Sequence, residues 1–330
     1  MSKRDDGGAK LPIVISQGEP AGIGPEIAVK AWAALSGAIE GRPLRLIGSA
    51  ELFHKAADFS DVDATGLDRA IIDTHAKIRS QPSRPSKDDA NAVTGAIERG
   101  VRACQNGEAA ALVTAPIHKA VLTQAGFGFP GHTEFLAALT GRERAVMMLA
   151  SSDADPPLRV VPFTIHIPLK EVFARLDVDA IVATALVVIE GLARDFGCAV
   201  PRLAIAGLNP HAGEDGTMGR EDADIIAPAV DRLRKQGYRV SGPLPADTMF
   251  HEDARKNYDA ALCMYHDQAL IPIKTIAFWT GVNVTLGLPI VRTSPDHGTA
   301  FDIAGQGIAN PASMIAAIRM AADIAARRGL

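Results

Sequence analysis

Short apolar runs that end in turns recur along this chain, and the stretches between them have helical character. Leu11–Ser16, Leu44–Gly48, Ala109–Thr114, Leu203–Ala206 and Tyr258–Tyr265 each read as a short buried strand. Arg69–Ile72, Ala145–Ala150, Leu158–Ile165 and Val282–Leu286 are further strand candidates. Helical segments run from Pro25 to about Leu35 and over Asn91–Cys104, His132–Leu139, Asp177–Phe196, Arg220–Gln236 and Pro311–Arg327. Strands alternating with helices predict an α/β fold with a mostly parallel sheet. Hydrophobic residues make up 47% of the chain but aromatics only 5%. An apolar content of Ala, Val, Ile and Leu suits parallel strands covered by Ala-rich helices. Gln81–Asp89, with its prolines, serines and charges, reads as an exposed loop.

A length of 330 residues suffices for two domains. No linker or repeat divides the chain, so the domains are expected to be discontinuous. The first takes residues 1–130 with about 275–330, and the second about 131–274. Residues 1–10 are polar and charged and read as a disordered tail, with no apolar core of a signal peptide. A net charge of −4 gives no global attraction to nucleic acid or anionic membrane. Cys104, Cys198 and Cys263 are scattered and form no CxxC pair, which points to a reducing compartment. No apolar run has the roughly 18–20 residues of a membrane span. The expectation is a soluble cytoplasmic protein.

Three of the apolar runs share a further property. His166 follows Val160–Ile165, His211 follows Leu203–Pro210, and His266 follows Ala260–Tyr265. In open α/β sheets, ligands collect outside the carboxyl ends of the strands. A lone histidine at a strand end is usually a hydrogen-bonded structural residue, but three in equivalent places have the makings of a catalytic metal site. Three neutral imidazoles suit Zn, Co, Ni or Fe(II).

Other segments carry chemistry for anions. Gly131-His132-Thr133-Glu134 turns into a helix and offers an imidazole, a hydroxyl and backbone N–H groups. Lys274 and Arg292 add positive charge and Asn283 adds two donors. Taken singly, Lys274 and Arg292 read as solvated charges, although apolar residues bracket Lys274. Gly18-Glu19-Pro20-Ala21-Gly22-Ile23-Gly24 follows a strand and opens a helix, but Ile27 and Pro25 break the dinucleotide fingerprint. It is either a tight turn into a helix or a backbone lining for the active site. Asp247 and Asp267 are candidates for a proton acceptor. Each reads equally as a helix cap or as a carboxylate orienting a histidine.

The stretch His297-Gly298-Thr299-Ala300-Phe301-Asp302-Ile303-Ala304-Gly305-Gln306-Gly307-Ile308-Ala309-Asn310-Pro311 resembles the adenosine-binding loop of β-decarboxylating dehydrogenases, the isopropylmalate and isocitrate group. Together with QGEPAGIGPE, VTAPIHK, GFPGHTEFLA, LNPHAGEDGTMGRED, GPLPADTMF and YHDQALIPIK, it makes nearly the whole chain after Leu11 resemble the 4-hydroxythreonine-4-phosphate dehydrogenases. The resemblance implies two α/β/α domains of isopropylmalate dehydrogenase type with a cleft between them. It implies a homodimer whose active sites share residues across the interface. The first domain would carry the nucleotide-binding loop, and the second the metal ligands and dimer interface. NAD, or else NADP, would bind at His297, Gly298, Thr299, Ala300, Asp302 and Asn310. A divalent cation (Zn, Co or Mg) would sit on His166, His211 and His266. His132, Thr133, Lys274, Asn283 and Arg292 would contact the substrate. That substrate would be 4-phosphooxy-L-threonine, oxidised and decarboxylated in pyridoxal phosphate biosynthesis. The alternative is a paralogue acting on 4-phospho-D-threonate or 4-phospho-D-erythronate.

Overall fold

The structure, a computed structural model, describes residues 10–129 and 131–330, so the expected tail lies outside it except for Lys10. In chain order the strands are Ile13–Ser16 (β1), Ala38–Ile39 (β2), Arg42–Gly48 (β3), Ile71–Asp73 (β4), Ala111–Thr114 (β5), Val146–Ser151 (β6), Leu158–Pro162 (β7), Arg202–Ala206 (β8), Arg239–Leu244 (β9), Ala260–Cys263 (β10), Val282–Leu286 (β11) and Arg292–Pro295 (β12). They belong to two compact units, Met1–Gly141 with Pro289–Leu330, and Arg142–Leu288.

In the first unit β3, β1, β5 and β12 run parallel in that order, and β4 extends the parallel set beside β3. Every residue of β1 and β5 is buried, as strands covered on both faces must be. Helices Ala90–Gln105 and Ala312–Arg327 both pack on these two strands. Each fully buried Ile or Leu, such as Ile13, Ile15, Leu46 and Leu112, contributes about 1.5–3 kcal/mol. The helix Gly24–Ala34 begins where expected, with a proline in its first turn.

In the second unit β11, β6 and β7 are antiparallel neighbours. From β7 the order continues as β10, β8 and β9, all parallel. Helix Val178–Phe196 packs on β6, β8 and β11. Its ends carry good signals: the Asp177 carboxylate accepts from the Ala180 N–H at 2.9 Å, and Gly197 closes it in the left-handed region.

The sequence reading puts domain boundaries near 130 and 275, whereas the compact units divide after Gly141 and after Leu288. Helix His132–Leu139 packs on Ala90–Gln105, which keeps it in the first unit. β11 pairs with β6, which keeps residues 282–286 in the second. Two other readings change. Residues 81–89 include a 3-10 turn, Lys87–Asp89, and Asp89 is buried, accepting from the N–H groups of Arg79 and Ser80. The helix expected over Arg220–Gln236 is a π-turn, Asp222–Ile226, followed by an α-helix, Ala227–Lys235. Among the described residues no helix is long and apolar enough to cross a membrane, and Cys104, Cys198 and Cys263 form no disulfide.

Gly18 ties the first turn to its neighbour. It has φ +71°, and a Cβ there would lie 2.5 Å from the Pro116 carbonyl oxygen. Gly18→Ala should therefore cost about 2–4 kcal/mol. Gly95, inside helix Ala90–Gln105 with nothing near its would-be Cβ, should gain about 0.5–1 kcal/mol as Ala. Thermal unfolding of both variants checks the pair, and a Gly18→Ala protein as stable as its parent would refute the packing argument.

Candidate active site

Strands β7, β10 and β8 are adjacent and parallel, so their carboxyl ends open at one edge of the second unit. His166 lies just beyond β7, His266 just beyond β10, and His211 just beyond β8. The rings of His166 and His266 lie with centroids 5.5 Å apart, tilted at 44°. Two imidazoles on one tetrahedral cation, with bonds of about 2.1 Å, hold their ring centres on the order of 5 Å apart. The separation of the pair is close to that value. An open cleft of about 260 Å³ is lined by Thr164, His166, Ile167, Leu169, Val172, Tyr265, His266 and Asp267. The third ring is not closed onto the pair. Among the described residues no group of three His, Cys, Asp or Glu converges tightly enough to hold an ion.

Backbone strain concentrates at this edge. His166 has φ +52°, and His211, Ala212, Gly213, Glu214 and Asp215 are successively left-handed. A left-handed run of L-residues costs roughly 1–2 kcal/mol per residue. Its supports are visible. The buried Asp222 carboxylate accepts from the N–H groups of Leu208 (2.7 Å) and Asn209 (3.1 Å) and from the Asn209 side chain (2.9 Å). Gln268 donates to the Gly207 carbonyl and accepts from the Met264 N–H, joining the ends of β8 and β10. Thr164 donates to the Met264 carbonyl at 2.8 Å, joining the ends of β7 and β10. Sequence reading missed Thr164, Asp222 and Gln268. Thr164 and Gln268 each stand two residues from a strand-end histidine, whereas Asp222 has no signal of that kind.

The two acid candidates separate. Asp267 accepts from Nδ1 of His266 at 2.7 Å, which leaves Nε2 of that ring as the lone-pair nitrogen. Asp247 lies exposed on the turn Ala246–Thr248, which packs against the segment Pro210–Gly216 carrying His211.

The anion-binding candidates divide between the units. In the first, Arg292 is almost wholly buried at the start of β12 and donates to the Thr114 hydroxyl at 2.6 Å. Burial lowers its pKa to about 9, so it is still a cation at neutral pH. Burial, together with the Arg292 charge, pushes His132 well below the usual imidazole value and keeps it neutral. His132 opens helix His132–Leu139, with Thr133 next to it, and its Nε2 is buried with no hydrogen-bond partner among the described residues. In the second unit, Asn283 on β11 has a buried Oδ1 in the same condition. Lys274 lies on helix His266–Ile276, its ammonium 5.4 Å from the Phe278 ring centre. Orphaned buried polar atoms cost about 1–3 kcal/mol each, and a ligand is one way to satisfy them.

The loop His297–Asn310 is a succession of turns in the first unit. His297 meets the Gly298 carbonyl through Nδ1, Ala300 has φ +42°, and Thr299 is buried with its carbonyl accepting from the Ile23 N–H. Asp302 is exposed, and Asn310 accepts from the Ala312 N–H. The first glycine loop therefore packs directly on the candidate nucleotide loop and, through Glu19 N–H to the Pro116 carbonyl, on the end of β5.

The chain is similar to known proteins over most of its length. The chain is 52% identical over 323 residues to the 4-hydroxythreonine-4-phosphate dehydrogenase of Paracoccus denitrificans, covering 96% of this chain and 98% of the relative. It is 54% identical over 330 residues to the protein of that name from Roseobacter denitrificans, covering 97% and 98%. The crystal structure of 4-hydroxythreonine-4-phosphate dehydrogenase from Klebsiella pneumoniae superposes with a TM-score of 0.83 at 36% identity, over 96% of this chain and all of that one. A β-decarboxylating dehydrogenase from Thermococcus kodakarensis, 16% identical with a TM-score of 0.52, shares the fold. The family model described as pyridoxal phosphate biosynthetic protein PdxA matches residues 41–321. With its strand-end histidines and its loop at 297–310, this chain belongs to the PdxA family.

Proposed function

We propose that this chain oxidises the 3-hydroxyl of 4-phosphooxy-L-threonine with NAD, or NADP in its place. The β-keto acid so formed then loses CO2 to give 3-amino-2-oxopropyl phosphate, in the cytoplasm. The observation that carries the reading is the close pair His166 and His266 at neighbouring strand ends, in a chain about half identical to dehydrogenases of that name. A divalent cation on His166, His211 and His266 would supply a Lewis acid at the substrate oxygen, and the nicotinamide a hydride acceptor. Three neutral imidazoles favour Zn or Co over Mg, which prefers oxygen ligands.

The chain's own residues have separable tasks in this account. Asp267 fixes the His266 tautomer, which leaves the Nε2 lone pair available to a cation. Asp222, Gln268 and Thr164 hold the strand ends that bear the three rings. Arg292 supplies fixed positive charge, and neutral His132 beside it supplies a hydrogen-bonding nitrogen, a combination suited to a phosphate or carboxylate. Thr133, Lys274 and Asn283 complete the substrate contacts, and the orphaned Oδ1 of Asn283 suits a donor such as the substrate ammonium. Asp247 stays a candidate for taking the hydroxyl proton. The first unit would carry the nucleotide loop and the second the metal ligands. Large apolar side chains exposed on the second unit at Leu169, Phe173, Ile271, Phe278 and Trp279 support a homodimer contact there.

NADH formation, measured with metal present on 4-phosphooxy-L-threonine, 4-phospho-D-threonate and 4-phospho-D-erythronate, tests the substrate. The reading requires the threonine phosphate to have the highest kcat/KM. Equal or faster turnover of the threonate would assign the chain to the paralogous activity. A pH effect follows from His132. Its folded pKa is depressed, so below the unfolded value the unfolded chain binds a proton that the folded chain does not. Stability should therefore fall as pH drops below about 6.5. His132→Asn should flatten that dependence in denaturant titrations, and an unchanged slope would contradict a buried neutral imidazole.

A further inference from the structure

The ion pair Glu26–Lys30 takes no part in the chemistry described so far, yet it grips the segment Gly307–Ala309. Glu26 lies in the first turn of helix Gly24–Ala34 with its side chain almost wholly buried. Its Oε1 accepts from the backbone N–H of Ala309 at 2.8 Å and from the Lys30 ammonium at 2.7 Å. The same ammonium donates to the carbonyls of Gly307 at 2.7 Å and Ala309 at 2.9 Å. Two of the ammonium's contacts and one of the carboxylate's therefore close on two residues of a loop about 280 positions away in sequence. Gly307 is left-handed at φ +71°, and a Cβ there would lie 2.2 Å from the Phe59 carbonyl, so the backbone at this point has little room to shift. Upstream, the loop is held by Ile23 N–H on the Thr299 carbonyl and by the Ser83 hydroxyl on the Phe301 carbonyl.

A solvated loop of turns would need no buried charge to hold it. Removing a carboxylate and an ammonium from water costs several kcal/mol per ion, which the pair recovers only through good geometry and satisfied hydrogen bonds. A hydrophobic contact could anchor the loop at lower cost. A pair that donates to two carbonyls and accepts from one N–H instead fixes the direction of the backbone. Direction matters when the neighbouring backbone and Asn310 must meet a ligand's polar edge.

We propose that Glu26 and Lys30 are positioning residues for the nucleotide cofactor, setting residues 307–310 in the conformation that receives its adenosine half. The proposal rests on the reading that the loop 297–310 binds the cofactor. The pair's hydrogen bonds go to residues 307 and 309 and to none of the residues assigned to the substrate, so its loss should weaken cofactor binding and spare the hydroxy acid.

The test uses the full-length chain with Lys30→Met, Lys30→Arg, the double variant Glu26→Gln/Lys30→Met, and Asp302→Ala as a variant of the loop itself. The double variant removes both charges, so it leaves no unpaired buried ion if Lys30→Met alone folds poorly. Measurements are NADH affinity by fluorescence titration without substrate, KM for NAD and for the hydroxy acid, and melting temperature. Lys30→Met or the double variant should raise the NADH Kd and the NAD KM by about tenfold or more, with hydroxy-acid KM within about twofold. Lys30→Arg should recover most of the affinity. A folded double variant with unchanged NADH affinity overturns the proposal, and so does one whose melting temperature falls with no change in Kd. If Asp302→Ala also leaves NADH affinity unchanged, the assignment of the loop to the cofactor fails. If Asp302→Ala weakens NADH while the pair variants do not, only the positioning role fails.

Discussion

Parallel pairing of β7, β10 and β8 is the constraint on which the site depends. Because the strands run the same way, their carboxyl ends share an edge, and the segments that carry histidines some forty to a hundred residues apart in sequence leave from that one edge. Reversing any one of the three strands would send its histidine to the opposite edge. The pairing alone does not aim the rings, however. Aim comes from the residues after each strand, where His166 and His211 adopt left-handed backbone. Such conformations persist only when their surroundings over-determine them, and they cluster at functional sites. Here the surroundings are Asp222, Gln268 and Thr164, each joining one strand end to a neighbouring turn or strand.

The fold was largely legible because buried parallel strands announce themselves. β1, β5, β8, β10 and β11 lie within or beside apolar runs, and their helices carry ordinary end signals. Legibility failed where burial is polar. Arg292–Pro295 is not among the strands read from sequence, yet all of it is buried in β12, where Arg292 donates to Thr114 and Thr293 to the Ala317 carbonyl. Helix His266–Ile276 was hidden by Pro272, which normally ends a helix. The place of the three histidines after strands β7, β8 and β10 could be read from the apolar runs before them. Asp222 could not, because its partners are backbone N–H groups that no sequence pattern displays. Arg292 read as a solvated charge when taken alone, and the structure buries it.

Charge in the first unit follows the same economy of burial. Arg292, His132, Glu26 and Lys30 are ionisable side chains at least partly withdrawn from water, and each is tied to a segment that the functional reading uses. Burial keeps His132 neutral beside a cation, which lets one subsite offer both a charge and an uncharged nitrogen. The Glu26–Lys30 pair shows the other use of buried charge, holding a backbone segment in one direction.

The chemistry rests on the proposal that His166, His211 and His266 serve one cation. Titration of metal-free protein with Co(II), followed by its visible absorption and by elemental analysis, tests it most directly. The account predicts one Co(II) per chain with a spectrum of nitrogen-ligated metal. It also predicts a comparable loss of affinity in His166→Ala, His211→Ala and His266→Ala, with the far-ultraviolet circular dichroism of all three unchanged. A His211→Ala protein that binds Co(II) as tightly as the parent, with the same spectrum, would contradict it.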